Sequence, residues 1–161
     1  MIYTLEKIML MCTIFAKAGV KKNIGGPFGA AIVKPVKNNK YKVVSIARNE
    51  VISTNNPTAH AEMNAIQIAC KKLNTFDLSG YILVSTGQSC PMCLSAAIWA
   101  NIDKIIYGTD YLDAEAIGFR DKHIHEHING KIEAIKEEQQ YRDIAIICQK
   151  EWRNKIDKIN Y

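Results

Sequence analysis

The sequence predicts a layered α/β domain. Short β-branched runs of strand length alternate with segments whose apolar residues recur at helical spacing, turn residues punctuate most of the changes, and the 161 residues suit one core. Alternation of this kind puts helices on both faces of one central sheet. A composition 48% hydrophobic and 23% charged is that of a globular domain and excludes a disordered or fibrous chain. Lysine and arginine exceed aspartate and glutamate by 21 to 16, and the resulting net charge of +5 is too small to mark nucleic acid as the partner.

The chain opens on MIYTLEKIMLMCTIFAKAG, where Ile2, Leu5, Met9, Cys12 and Ala16 share one helical face, so a helix packed on the core is expected from the first residues. This stretch has no basic n-region or small-residue cleavage site, and Glu6 and Lys7 interrupt its apolar run, so neither export nor a membrane span is expected. Five cysteines, an odd number, then fit reduced thiols and a cytoplasmic setting. KKNIGGPFGAAIVK reads as a turn feeding a strand over about residues 29–34, KPVKNNKYK as a polar hairpin connection, and YKVVSIARN as the second strand. In TAHAEMNAIQIACKKL, the residues Ala61, Ala65, Ile68 and Ala69, with Met63 and Ile66 nearby, give a helix a broad apolar face. GYILVST is the third strand, PMCLSAAIWANI a short apolar helix beginning at Cys90, and KIIYGTD the fourth strand. After the helical KIEAIKEEQQ, RDIAIICQ at residues 142–149 is the candidate fifth strand. Residues 1–150 read as one domain and 151–161 as a polar, mostly helical tail with Trp152, Ile156 and Ile159 on one face.

The chemistry concentrates at two predicted helix starts about thirty residues apart. In QSCPMC, Cys90 and Cys93 are spaced so that both sulfurs can reach one ion, and the helix N-terminus favours their thiolates. Zinc prefers four ligands; a second cysteine pair is absent, and His60 is the only histidine outside a cluster near residue 125. Three protein ligands leave one position open, the mark of a catalytic zinc whose bound water has a pKa lowered to about 7. Glu62 then has a purpose as the general acid and base beside that water. Positions i and i+2 do not share a helical face, so His60 and Glu62 must converge by flanking a site at the helix end. The histidines His123, His125 and His127 of HIHEHI would line one face of a strand and could bind a metal, although nothing else there supplies ligand geometry.

His-x-Glu followed by Pro-Cys-x-x-Cys is the signature of zinc-dependent base deaminases. This chain departs from it at Ser89, where proline is usual, and at Gln88, where glutamate commonly precedes; neither position is a metal ligand. Over nearly its whole length the sequence resembles the bacterial-type guanine deaminases of the cytidine deaminase-like superfamily. The resemblance is carried by GGPFGAAIV, NNPTAHAE, CPMCLSAAIWA, DAEAIGFRD and WRNKIDKINY. A tRNA adenosine deaminase typically has valine in place of Phe28, histidine in place of Trp99 and arginine at the position of Asn101.

The resemblance implies a three-layer α-β-α domain with a central five-stranded mixed sheet and a C-terminal helical tail. It implies a Zn²⁺ held by His60, Cys90 and Cys93, with Glu62 as catalytic acid and base and Asp121 assisting proton transfer to the leaving amino group. Arg120 stands where the family often has another aspartate. Asn49 would hydrogen-bond a purine base while Phe28 and Trp99 line its pocket; otherwise Asn49 stabilises a turn and the two aromatics fill the core. The family is dimeric with an exchanged C-terminal segment, so the tail is expected to close a partner's active site, with Tyr161 reaching the pocket. Guanine is the expected substrate, and guanosine, other aminated purines, cytosine and aminotriazines stay open because they share a ring carbon flanked by nitrogens. A tRNA-modifying enzyme and a non-catalytic zinc-stabilised module are the readings from other classes.

Overall fold

The strand Gly29–Val36 (β2) is buried on both faces. Ala30 and Ile32 point to one side of the sheet, Ala31 and Val33 to the other, and all four are fully inaccessible. The rest of the domain is built outward from it, in a computed structural model that describes residues 1–131 and the single positions 142, 146, 147, 149 and 156. β2 forms a hairpin with Lys40–Arg48 (β3) through the three residues 37–39, where Asn38 and Asn39 both take positive φ, 61° and 50°, a conformation that asparagine tolerates. On its other side β2 pairs antiparallel with Ile82–Gly87 (β4), and β4 pairs in parallel with Lys104–Thr109 (β5). The sheet is therefore mixed.

The helix Leu5–Lys21 (α1) lies on one face, where Ile8 and Cys12 pack against Ala31, Val33, Ile82 and Val84. It comes so close that a Cβ at Gly29 would collide with the backbone carbonyl of Cys12, and only glycine permits that approach. The helices Ala61–Leu73 (α3) and Pro91–Trp99 (α4) cover the other face, with Ala61, Ala65, Ala69 and Ala97 against Ala30, Ile32, Ala47 and Leu83. A short turn of helix, Val51–Thr54 (α2), precedes α3, and the helices Tyr111–Ala116 (α5) and Asp121–Ile128 (α6) follow β5. No helix among the described residues is long and apolar enough to cross a membrane.

Two sequence expectations are corrected, and one reading left open is decided. Ile2 is not helical: Thr4 caps α1 by accepting from the Lys7 N–H, and Ile2–Tyr3 (β1) pairs instead with Lys42 and Tyr41. Those two residues are the fifth strand, too short for any alternation to reveal, and the sheet order is β1-β3-β2-β4-β5. At Arg142, Ile146, Ile147 and Gln149 the backbone is helical, so the strand expected over 142–149 is not seen at its described positions; a short apolar run fits either period. HIHEHI lies in α6 and not on a strand; at 100° per residue His123 and His127 fall on one side and His125 on the other, so the three do not line one face. Trp152, Ile159 and Tyr161 lie outside the described residues; Ile156 is exposed.

β1 pairs with β3 only at Tyr41 and Lys42, leaving the stretch 43–48 without a strand partner on that side among the described residues. A bulge at Val44 interrupts the β2–β3 register, and the Lys72 ammonium donates to the Val44 carbonyl at 2.8 Å. Asn64 Nδ2 donates to the Arg48 carbonyl at 3.1 Å.

Candidate active site and metal centre

The site is assembled where α3 and α4 begin, at the ends of β3 and β4. His60 is the N-cap of α3 and Cys90 that of α4, both in extended backbone conformation, and neither side chain caps its own helix. The loop before α3 is fixed locally. Asn56 Oδ1 accepts from the Thr58 amide and hydroxyl, the Ala59 N–H donates to the Asn56 carbonyl, and the Glu50 N–H donates to the Ala59 carbonyl. Pro91 occupies the first turn of α4, where its missing N–H is no loss, and Cys93 follows in the same turn.

His60 Nδ1 lies 3.7 Å from Cys90 Sγ and 3.6 Å from Cys93 Sγ, and the three donor atoms all fall within 4.8 Å of one another. Zinc bonds of about 2.3 Å to sulfur and 2.0–2.1 Å to nitrogen, set at the tetrahedral angle, put S and N about 3.6 Å apart. The donors are thus spaced to hold one tetrahedral ion with a fourth position left over. This is the only cluster of three such side chains found among the described residues.

The electrostatics favour a cation here. Among the protein groups alone, Cys90 is pushed down to about 4, first by the Cys93 thiol hydrogen-bonded to it and then by His60, working against burial. Cys93 is pushed up, first by Cys90 and then by burial, so one proton is shared and a second thiolate needs a positive ion beside it. His60 is raised chiefly by its contact with Cys90. Glu62, 5% exposed in the first turn of α3, is raised chiefly by burial, with its own backbone N–H and Ser85 opposing. Its carboxylate touches Cys93 and accepts a hydrogen bond from Ser85 Oγ at 3.2 Å. The convergence of His60 and Glu62 required by their spacing is present: the cap residue turns outward in extended conformation while Glu62, two residues on, is buried beside the cysteines.

Over residues 2–109, more than half of the chain, the sequence matches the family described as the cytidine and deoxycytidylate deaminase zinc-binding region. The chain belongs to that family. The metal of the His60–Cys90–Cys93 centre is accordingly zinc. The guanine deaminase of Bacillus subtilis (strain 168) is 39% identical over 124 residues, covering 77% of this chain and 76% of that protein. A crystal structure of guanine deaminase from Bacillus subtilis superposes with a TM-score of 0.87 at 35% identity, covering 97% of this chain and 98% of that one. A tRNA-specific adenosine deaminase of Aquifex aeolicus (strain VF5) is 43% identical, but over 81 residues, half of each chain.

The remaining predicted site residues of this deaminase are placed unequally. Asn49 is buried at the end of β3, and its Oδ1 accepts from the N–H groups of Gly26 and Val51, at 3.1 and 3.2 Å. Those two donors fix the amide orientation, and Nδ2 is left without a hydrogen-bond partner among the described residues, as a donor for a ligand. The turn-stabilising role and a ligand-binding role are therefore compatible. Phe28 packs edge-on against Phe119, with centroids 4.8 Å apart at 85°, and borders a cavity of about 620 Å³ between α1, β5 and α5. Trp99, at the end of α4, is 64% exposed and so is no core residue. Asp121 opens α6 close enough to Cys90 and His60 to feel both, and it is raised first by burial and then by Cys90.

Ser85 and Phe119 escaped the sequence reading. A lone serine closing the apolar run Ile82–Val84 was the available signal for the first, since a polar side chain in a buried strand needs a partner. Of the two departures from the family motif, Gln88 accepts from the Tyr111 N–H at 3.3 Å, and the Ser89 hydroxyl is buried with no partner among the described residues.

Proposed function

We propose that the protein is a zinc-dependent guanine deaminase, converting guanine and water to xanthine and ammonia. The observation that carries this reading is the His60–Cys90–Cys93 cluster with Glu62 buried against it, in a chain similar to a guanine deaminase over three quarters of both lengths. When bound, zinc lowers the pKa of a coordinated water to about 7 and so supplies a nucleophile at neutral pH.

The chain's own groups do the rest. Glu62 takes one proton from the attacking water as the electron pair of that O–H bond forms the new bond to C2, the carbon bearing the amino group. It hands the proton to the adjacent ring nitrogen, which receives the π electrons of the opened C=N bond. The second proton of the water reaches the amino nitrogen, with Asp121 assisting, and the C–N bond breaks to release ammonia. Burial raises Glu62 above the usual carboxylate range, which suits a group that must first accept a proton and then give it up.

Asn49 Nδ2 donates to an acceptor on the purine rim, and Phe28 and Trp99 bracket its apolar faces. Residues 151–161 close the site of a second copy in a homodimer, and a Trp99 that is exposed in a single chain fits a pocket completed by another subunit. Four free cysteines among the described residues fit the cytoplasm. Ammonia release from a panel of free bases, nucleosides and tRNA tests the reading. Guanine is expected to react best, with adenine and cytosine far behind. Stronger activity on tRNA, cytidine or a nucleoside would overturn it.

A further inference from the structure

Two serines are buried between the sheet and α3, and they behave differently. Ser45, on β3, donates to the Ala65 carbonyl at 2.7 Å and so ties the strand to the helix backbone. Ser85, on β4, is fully inaccessible, and among the described residues its hydroxyl hydrogen-bonds Glu62 Oε1, at 3.2 Å. The hydroxyl is the donor in this pair, because an ionised carboxylate has no proton to give. The second neighbour of the Glu62 carboxylate is Cys93. Terminal carboxylate torsions are soft and nearly two-fold, so nothing in the side chain itself decides which oxygen faces the reacting atoms.

From this geometry we propose that Ser85 is a positioning residue for Glu62. Its hydroxyl occupies Oε1 as a fixed acceptor and reserves Oε2 as the oxygen that takes the proton from water and passes it to the substrate. The inference rests on the guanine deaminase reading and sharpens it. With Ser85 donating to Oε1, the proton taken from water adds to Oε2, using the lone pair there. The same O–H bond then breaks toward the ring nitrogen, so the carboxylate ends as it began. Without the hydroxyl the carboxylate can rotate between equivalent positions, and the working oxygen spends less time aligned.

The test uses the full-length zinc-loaded enzyme and guanine. Ser85→Ala removes one atom. Because 3.2 Å is long for an O–H···O bond, the loss is expected to be modest: about tenfold in kcat, with KM changed by less than about twofold and zinc retained at about one per chain. Ser45→Ala loses a bond to the same helix and is the control; it is expected to lower the melting temperature and leave kcat unchanged. In a Glu62→Gln background, single-turnover rates are expected to show no further loss from Ser85→Ala, since there is no longer a carboxylate to position. A wild-type kcat in Ser85→Ala, zinc loss in that variant, or an undiminished tenfold loss on top of Glu62→Gln would overturn the proposal. Rapid turnover by Glu62→Gln alone would instead strike at the deaminase mechanism, whatever Ser85 does.

Discussion

Four of the helices described here begin in two contrasting ways. At the start of α1 the Thr4 hydroxyl accepts from the Lys7 N–H, and at the start of α5 Asp110 and Asp113 form a reciprocal capping box. At α3 and α4 the same cap positions carry His60 and Cys90, in the same extended conformation, and neither side chain bonds its own helix. A cap of the first kind contributes about 1 kcal/mol. The second kind gives that up, leaving the helix N–H groups and the positive end of the dipole facing the site, where they favour thiolates and a developing negative charge. Two helix starts serve stability and two serve the metal.

That division can be broken from the metal side first. His60→Ala is expected to remove zinc and abolish turnover, read by metal analysis and ammonia release, because two sulfurs alone cannot complete the centre. Retention of one zinc per chain would show that the ligand set is wrong. Glu62→Gln keeps the same helix start and the metal but cannot shuttle a proton. Its turnover is expected to drop by about 10²–10⁴, and a residual rate above about a tenth of the wild type would remove Glu62 from the acid/base role.

The contrast also runs through the cysteines. Cys90 is pushed down to about 4, whereas Cys12, sealed between α1 and the sheet, is pushed up to about 12 by burial. A folded-state pKa above the ordinary 9.0 means that the folded protein binds the extra proton. The stabilisation is therefore fully present below pH 9 and is lost as pH rises toward 12, at up to about 1.4 kcal/mol per pH unit. Denaturant titrations of wild type and Cys12→Ala across that range are expected to converge as pH rises; parallel curves would show that Cys12 does not titrate with unfolding. The smallest expected effect is on the structural helix starts. Asp110→Ala should cost about 1 kcal/mol in stability and leave the zinc content unchanged, and a loss of metal would erase the distinction between the two kinds of helix start.

What the sequence disclosed about this molecule follows from which signals are local. The His60, Glu62, Cys90 and Cys93 set was legible because each pair sits within one helical turn and its chemistry is declared by residue type. The β2–β3 hairpin was legible through the consecutive asparagines at its turn. β1 was hidden because two residues carry no period, and HIHEHI stayed open because histidines at alternate positions fit a strand as readily as a helix. Ser85 needed the fold itself, since its partner Glu62 is 23 positions away on another element. The stack of Phe119 on Phe28 needed it too: it brings the segment leading to Asp121 against the turn at Gly26, where a Cβ would come within 2.8 Å of the Phe119 ring.

The side of β3 that has no strand partner among the described residues bears on how this protein behaves in a crowded solution. A bare strand edge is a template on which any passing extended chain can add itself, and six residues are enough to start a stack. Here the bulge at Val44 twists the edge, the Lys72 ammonium occupies the carbonyl that the bulge leaves over, and Asn64 occupies that of Arg48. Two of the carbonyl acceptors of β3 are thus already taken by side chains of α3, one of them by a positive charge. The helix that starts with the zinc ligand His60 leaves this strand with fewer free acceptors to offer another chain.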